Sequence, residues 1–515
     1  MGARATAWTS ACVCAVLGLS APIAGANDRD PLSAIDWLSD SVNLPETALA
    51  PAEEVAATRP PDVSVAVLGA EVPDAAGVMS AEALGLDLGL WGRTVAGDLA
   101  AAIAALPSAH SAPPSLRRFL HELLSARLDP PIDATYDDSL FLARLDGLLR
   151  LGQLETARRL IHAAGMTEPR RFRRAFDIAL LTGTETEACR VIEMTPDLSP
   201  TYPARIFCLA RLGQWDVAAL TLGNAEALGI LSPEEDQLLL HFLDAELFEG
   251  EPIPPAPRLP SPLIFRLYEA VGERLSTEQL PVAYAAADLS DTVGWKTRLR
   301  AAERLAAAEA IPFERFLDVH AERDPAASGG IWERVAAIQV LRKAEESGGD
   351  SELSAALSDA WRAATEANYQ AALARWLAPR LNGRDLDSEA AHIAFEMALL
   401  AGRPEMAASF ARDTEADQFL LALAKGESAV LPSSDPLSRG LVRGLVALGP
   451  GFQDQAMIDD GRSGEALLSA ITVLMDGAAV NPDRAGTALA LLRALGLEDL
   501  ARQVAVELLL KESAA

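Results

Sequence analysis

Six histidines, four cysteines and 73 carboxylates are the groups from which this chain would have to build any reactive centre. The histidines (His110, His121, His162, His241, His320, His392) are scattered singly. His121-Glu122 begins like a zinc-protease helix, but the second histidine one turn later is missing. Asp385, Asp387 and Glu389 alternate as in the first half of a calcium loop, without its glycine and distal glutamate. Acidic capping of the following helix accounts for them. Ser328-Gly329-Gly330 ahead of Ile331-Trp332 reads as a helix-start loop. The chain has no Gly-x-Ser-x-Gly elbow, no lysine three residues after a serine and no Gly-Lys pair. The expectation is therefore no catalytic residue, no cofactor and no metal ligand.

The elements that would position any site begin with an N-terminal leader. Arg4 precedes an uncharged stretch with an apolar centre at 11–19, then Pro22 and the small triplet Ala24-Gly25-Ala26. This pattern predicts a signal peptide over 1–26 and an exported, periplasmic, soluble product with no transmembrane segment after cleavage. Cleavage would also remove Cys12 and Cys14, leaving 43 basic against 73 acidic residues and a net charge of -30. A field of that sign repels phosphate backbones and anionic lipid, which excludes nucleic acid as a partner.

Residues 27–95 are rich in proline, alanine and acidic residues and are expected to form an extended, partly disordered arm. Within it Leu32, Ile35, Trp37 and Leu38 make a short amphipathic patch. It is a candidate docking motif, with a helix folded back onto the body as the alternative. Helical periodicity dominates beyond residue 95.

Between 139 and 227 the chain repeats itself. Gly152, Gly183 and Gly213 lie 31 and 30 residues apart, each after an apolar helical run. Each is followed five residues later by a small residue, Ala157, Ala188 or Ala218. Glycine there can take the left-handed conformation that ends a helix. An aromatic stands eleven residues before each (Phe141, Phe172, Tyr202), and Pro169 and Pro200 are expected to stop the second helices.

This pattern resembles the tetratricopeptide repeat, with two departures. The spacing is shorter than the usual 34 residues. Leu145, Phe176 and Ile206 stand where a small residue is expected. The resemblance implies an all-α fold: a right-handed superhelix of helical hairpins whose first helices line a concave groove. The matching groove positions are Asp146, Arg150, Arg173, Asp177 and Arg211. The alternative for these is plain solvation, with Asp146 and Arg150 paired four residues apart.

In this frame Cys189 falls on a second helix and Cys208 on the next first helix, symmetric about a turn at 196–200. Facing positions on neighbouring helices meet disulfide geometry, and an oxidising compartment permits the bond. The alternative is two buried thiols.

Six prolines within 249–263 predict a stiff linker between helical arrays at 96–248 and 264–515. Amphipathic helices are expected at 297–310, 331–346, 351–377, 388–411, 436–448, 464–476 and 484–511, with weaker echoes of the hairpin at Gly402 and Gly496. The functional expectation is a scaffold for an envelope-associated assembly, binding a protein or peptide partner on a concave helical surface. Two alternatives stand beside it: a small-ligand carrier, and a cell-wall-active, peptidoglycan-processing enzyme. Against the enzyme, no Glu-Ser in the chain is followed by the Gly-Leu-Met-Gln stretch of lytic transglycosylases.

Overall fold

Glycine at the bend is the local fact from which the architecture follows. In the computed structural model, which describes residues 72–134, 138–166, 168–427 and 435–513, Gly152, Gly183 and Gly213 have φ of +79°, +73° and +81°. Each joins two contacting helices: Ser139–Arg150 to Leu154–Ala164, Pro169–Thr182 to Glu185–Met194, and Tyr202–Arg211 to Trp215–Ala227. Gly402 and Gly496 bend the chain in the same way, at φ +67° and +82°. The predicted helices at 388–411 and 484–511 are therefore each two helices: Ser388–Leu400 with Pro404–Phe410, and Pro482–Ala494 with Glu498–Ser513. The helix expected over 351–377 is also divided, into Asp350–Glu366 and Gln370–Leu381. Here Asn368 supplies the left-handed residue, at φ +61°.

Pro169 does not stop the helix before it. That helix has already ended at Gly165, whose φ is +82°, and Pro169 opens the next one at its first position, where a missing N–H costs nothing. Side-chain caps set several other starts, including the capping box of Ser232 and Glu235. Asp387 accepts from the backbone N–H groups of Glu389 (3.1 Å) and Ala390 (2.9 Å), so it caps the Ser388–Leu400 helix.

Apart from one pair of two-residue parallel strands, Met79–Ser80 and Ala126–Arg127, regular structure among the described residues is helical. The part of the predicted arm within the described residues, 72–95, packs against the body and buries Trp91 completely. A buried arginine fastens it. Arg144 donates to the carbonyl oxygens of Leu124 (2.9 Å), Asp74 (2.9 Å) and Ala126 (2.6 Å), while the Asp74 carboxylate accepts from Phe141 N–H (2.7 Å). Burial pushes the Arg144 guanidinium down to about 10, still far above neutrality.

Two apolar clusters carry most of the packing. The larger takes buried residues from Ala76 to Leu509, and the smaller is drawn from residues 172–268. The proline-rich stretch 249–263 runs without helix as far as Pro262 and is held by Tyr268 and Tyr284, whose hydroxyls donate to Pro254 O and Pro260 O, each at 2.6 Å. Leu238 and Leu239 before it and Leu263 and Leu267 after it share the smaller cluster. Residues 69–515 form one compact unit, in which an early helix, Pro114–Ser125, packs on the last one, Glu498–Ser513.

Candidate binding cavity

Where these helices meet, the fold encloses a cavity of about 890 Å³. Its walls are largely apolar, with Leu106, Leu280, Val282, Leu400, Met475 and Leu508 contributing from widely separated segments. Pro113-Pro114 turns the chain into the helix that forms one side. The opposite side comes from the hairpin bent at Asn368, which presents Trp361, Thr365 and Ala371.

The basic groups on the walls are engaged with backbone. Arg150 donates to Ala104 O (2.8 Å) and Ile103 O (2.5 Å), neutralising the last turn of the Ala96–Ala104 helix. Arg117 does the same for Ala307 O (2.7 Å) at the end of the Trp295–Ala307 helix, and burial depresses its pKa. Arg304 holds Thr277 O (2.6 Å) and Leu280 O (2.8 Å). Lys511 reaches Ser111 O at 3.3 Å, its pKa lowered first by burial and then by Arg117.

Two carboxylates complete the polar set. Glu507, buried, accepts from Ser115 N–H (2.9 Å), Ser115 Oγ–H (2.8 Å) and Gln503 Nε2 (3.0 Å). Burial raises its pKa against the opposing effect of those donors. Glu396 stands 3.5 Å from His392 Nε2, and burial raises its pKa too, offset in part by that histidine. With so many polar atoms already bonded, what the cavity offers an occupant is mainly apolar wall.

The five groove positions inferred from the repeat divide: Asp146 and Arg173 both act on Asp177, whereas Arg150 and Arg211 are engaged elsewhere. Of them only Arg150 borders the cavity. Asp146 pairs with Arg174 (2.8 and 2.7 Å) and not with Arg150, because Arg150 is turned onto the neighbouring helix end. Arg211 donates to the buried Glu185 (2.6 Å), and Arg173 is exposed. Asp177 is half-buried, and its pKa is pushed up to about 6 by burial, with Arg173 and Arg174 opposing. The docking motif at Leu32, Ile35, Trp37 and Leu38, and the leader, lie outside the described residues.

Cys189 and Cys208 are joined by a disulfide, with Cα atoms 4.9 Å apart. Both are buried in the smaller cluster. His320, also buried, lies against Phe316, donates from Nδ1 to Phe316 O (2.9 Å) and is driven down to about 4 by desolvation. Among the described residues no group of three or more His, Cys, Asp and Glu side chains is placed to hold a metal ion. No helix there is long and apolar enough to cross a membrane.

No protein-family model, curated protein or solved structure matches the chain.

Proposed function

We propose that this chain is an exported, periplasmic interaction scaffold. On this reading its hairpins are tetratricopeptide-like units of a right-handed superhelix, and a partner polypeptide inserts an apolar segment into the cavity beside the Pro114–Ser125 and Glu498–Ser513 helices. The observation that supports it is the cavity itself: about 890 Å³, apolar-walled, with its arginines already spent on backbone carbonyls. Such a lining selects for shape and apolar surface more than for charge. The acidic exterior suits a cationic partner body around that segment.

The test is a photo-crosslinking amino acid placed in cells at Thr365, on the cavity wall, and at Glu346, an exposed residue that does not line it. The expected result is a discrete polypeptide adduct from Thr365, absent from Glu346 and reduced by Ala371→Trp, which narrows the cavity. Folded protein that gives no polypeptide adduct from Thr365, or the same adduct from both positions, defeats the proposal.

A further inference from the structure

A second, separate cavity of about 470 Å³ lies on the other side of Arg117, and its chemistry is opposite to that of the first. Four guanidinium groups line it, those of Arg117, Arg118, Arg375 and Arg380. Against them stand the carboxylates of Glu122, Glu309 and Glu314, leaving one positive charge in excess in a chain of net charge -29.

The internal pairing is incomplete. Glu309 pairs with Arg375 Nη2 but stays 3.9 Å from Arg117 Nη2. Three buried donors, Arg117 Nε, Arg118 Nη1 and Arg375 Nη1, have no acceptor. Arg118 makes no side-chain hydrogen bond among the described residues; it interacts electrostatically with Glu122 and Glu507. A buried, unpaired N–H on a charged group is costly, and three around one cavity are most simply relieved by one ligand with several acceptor oxygens.

Local backbone conformation points the same way. Glu309 holds φ of +55°, a left-handed conformation uncommon for a non-glycine residue. Gln153 Nε2 pins its carbonyl at 3.0 Å, and Arg375 holds one carboxylate oxygen, while the other, Oε1, faces Arg117 at 3.9 Å without a hydrogen bond. Beyond the charged end the walls are apolar and aromatic: Leu151, Ile311, Phe313 and Trp376, with Arg380 stacked over Trp376 at 4.5 Å.

We infer that this cavity is a binding site for an oxyanion carried on an apolar body, with Arg117, Arg118 and Arg375 holding the oxygens and the Phe313 and Trp376 side accepting the body. Guanidinium groups match carboxylate and phosphate oxygens by paired N–H donation, and both are sources of the same chemistry. The site does not depend on the partner proposed for the larger cavity.

The test is calorimetric titration of the purified protein with benzoate and, separately, with phenyl phosphate, at matched chloride and ionic strength. Saturable binding of at least one is expected, and which one binds identifies the oxyanion as carboxylate or phosphate. Arg118→Gln, which removes no hydrogen bond within the protein, should weaken that binding roughly tenfold or more in protein that still unfolds cooperatively. Arg375→Gln should weaken it at least as much. Absence of saturable binding by both probes, or wild-type affinity in folded Arg118→Gln protein, overturns the assignment.

Discussion

Reducing the Cys189–Cys208 bond should loosen one part of the protein and leave the rest intact. The bond closes a loop with a sequence separation of 19, spanning the ends of the Glu185–Met194 and Tyr202–Arg211 helices and the turn between them. A cross-link around a loop of that length removes denatured-chain entropy equivalent to about 3 kcal/mol. Both sulfurs are buried in the smaller apolar cluster, which is drawn from residues 172–268, so the loss falls on local opening of that cluster. An opening free energy lower by that amount raises amide exchange roughly a hundredfold. The assay is hydrogen exchange read by mass spectrometry on the oxidised protein, on the reduced protein and on the Cys189→Ala/Cys208→Ala double variant. Peptides from 185–211 should lose protection in the last two. Peptides from Pro482–Ala494, in the larger cluster, should not. Free alkylation of Cys189 and Cys208 in the unreduced protein, or exchange in 185–211 that is indifferent to reductant, would refute the reasoning.

Helix packing offers a paired test in the Pro436–Val446 and Pro482–Ala494 helices. A Cβ at Gly444 would stand 2.2 Å from Gly486 O, so Gly444→Ala should cost about 1–3 kcal/mol by forcing the helices apart, whereas Gly223→Ala, at a helical position with nothing within 4 Å, should stabilise by roughly 0.5–1 kcal/mol. Urea denaturation of both variants checks the contrast, and equal effects would refute the close-packing account. The second test concerns Asp177, whose pKa is raised from 3.8 to about 6 by burial. A carboxyl with a raised folded-state pKa favours folding fully below its unfolded value and loses that contribution as pH rises through the folded value. Asp177→Asn should therefore melt higher than wild type at pH 7.5 and equally at pH 3.5; a difference that persists unchanged at low pH would show another cause.

What could be read in advance was whatever one residue decides by its own backbone preference. Gly152, Gly183 and Gly213 mark bends because only a residue without Cβ takes positive φ freely, and the hairpins follow from that. Asn368 does the same work less conspicuously, and so an unbroken helix is expected through it. The side of a proline on which a helix lies is a weaker signal. Pro169 both ends one pattern and begins another, and Gly165 had already done the ending. Partners of charged residues were legible least. On a lone helix Asp146 and Arg150 are neighbours, yet each has a better option across an interface: Arg174 for the first and the Ile103 and Ala104 carbonyls for the second. Nothing in the sequence near Ser115 announces a buried carboxylate 392 residues away.

That last contact bears on how the larger cavity exists at all. Its walls come in part from the beginning and the end of the described chain, and those two regions are joined backbone to backbone: Arg93 N–H donates to Gly461 O (2.9 Å) and Gly464 N–H to Leu90 O (2.8 Å). Gly464 must lack a side chain, since a Cβ there would lie 2.6 Å from the Trp91 ring. Glu507 and Ser115 add a buried link between the Glu498–Ser513 and Pro114–Ser125 helices. A cavity built this way has no wall that stands alone, so an occupant that touches both sides is bound only while the two ends stay together. Occupation and end-to-end packing are then linked equilibria, each favouring the other by the same free energy. The same linkage makes the terminal helices the place where loss of packing and loss of binding would arrive together.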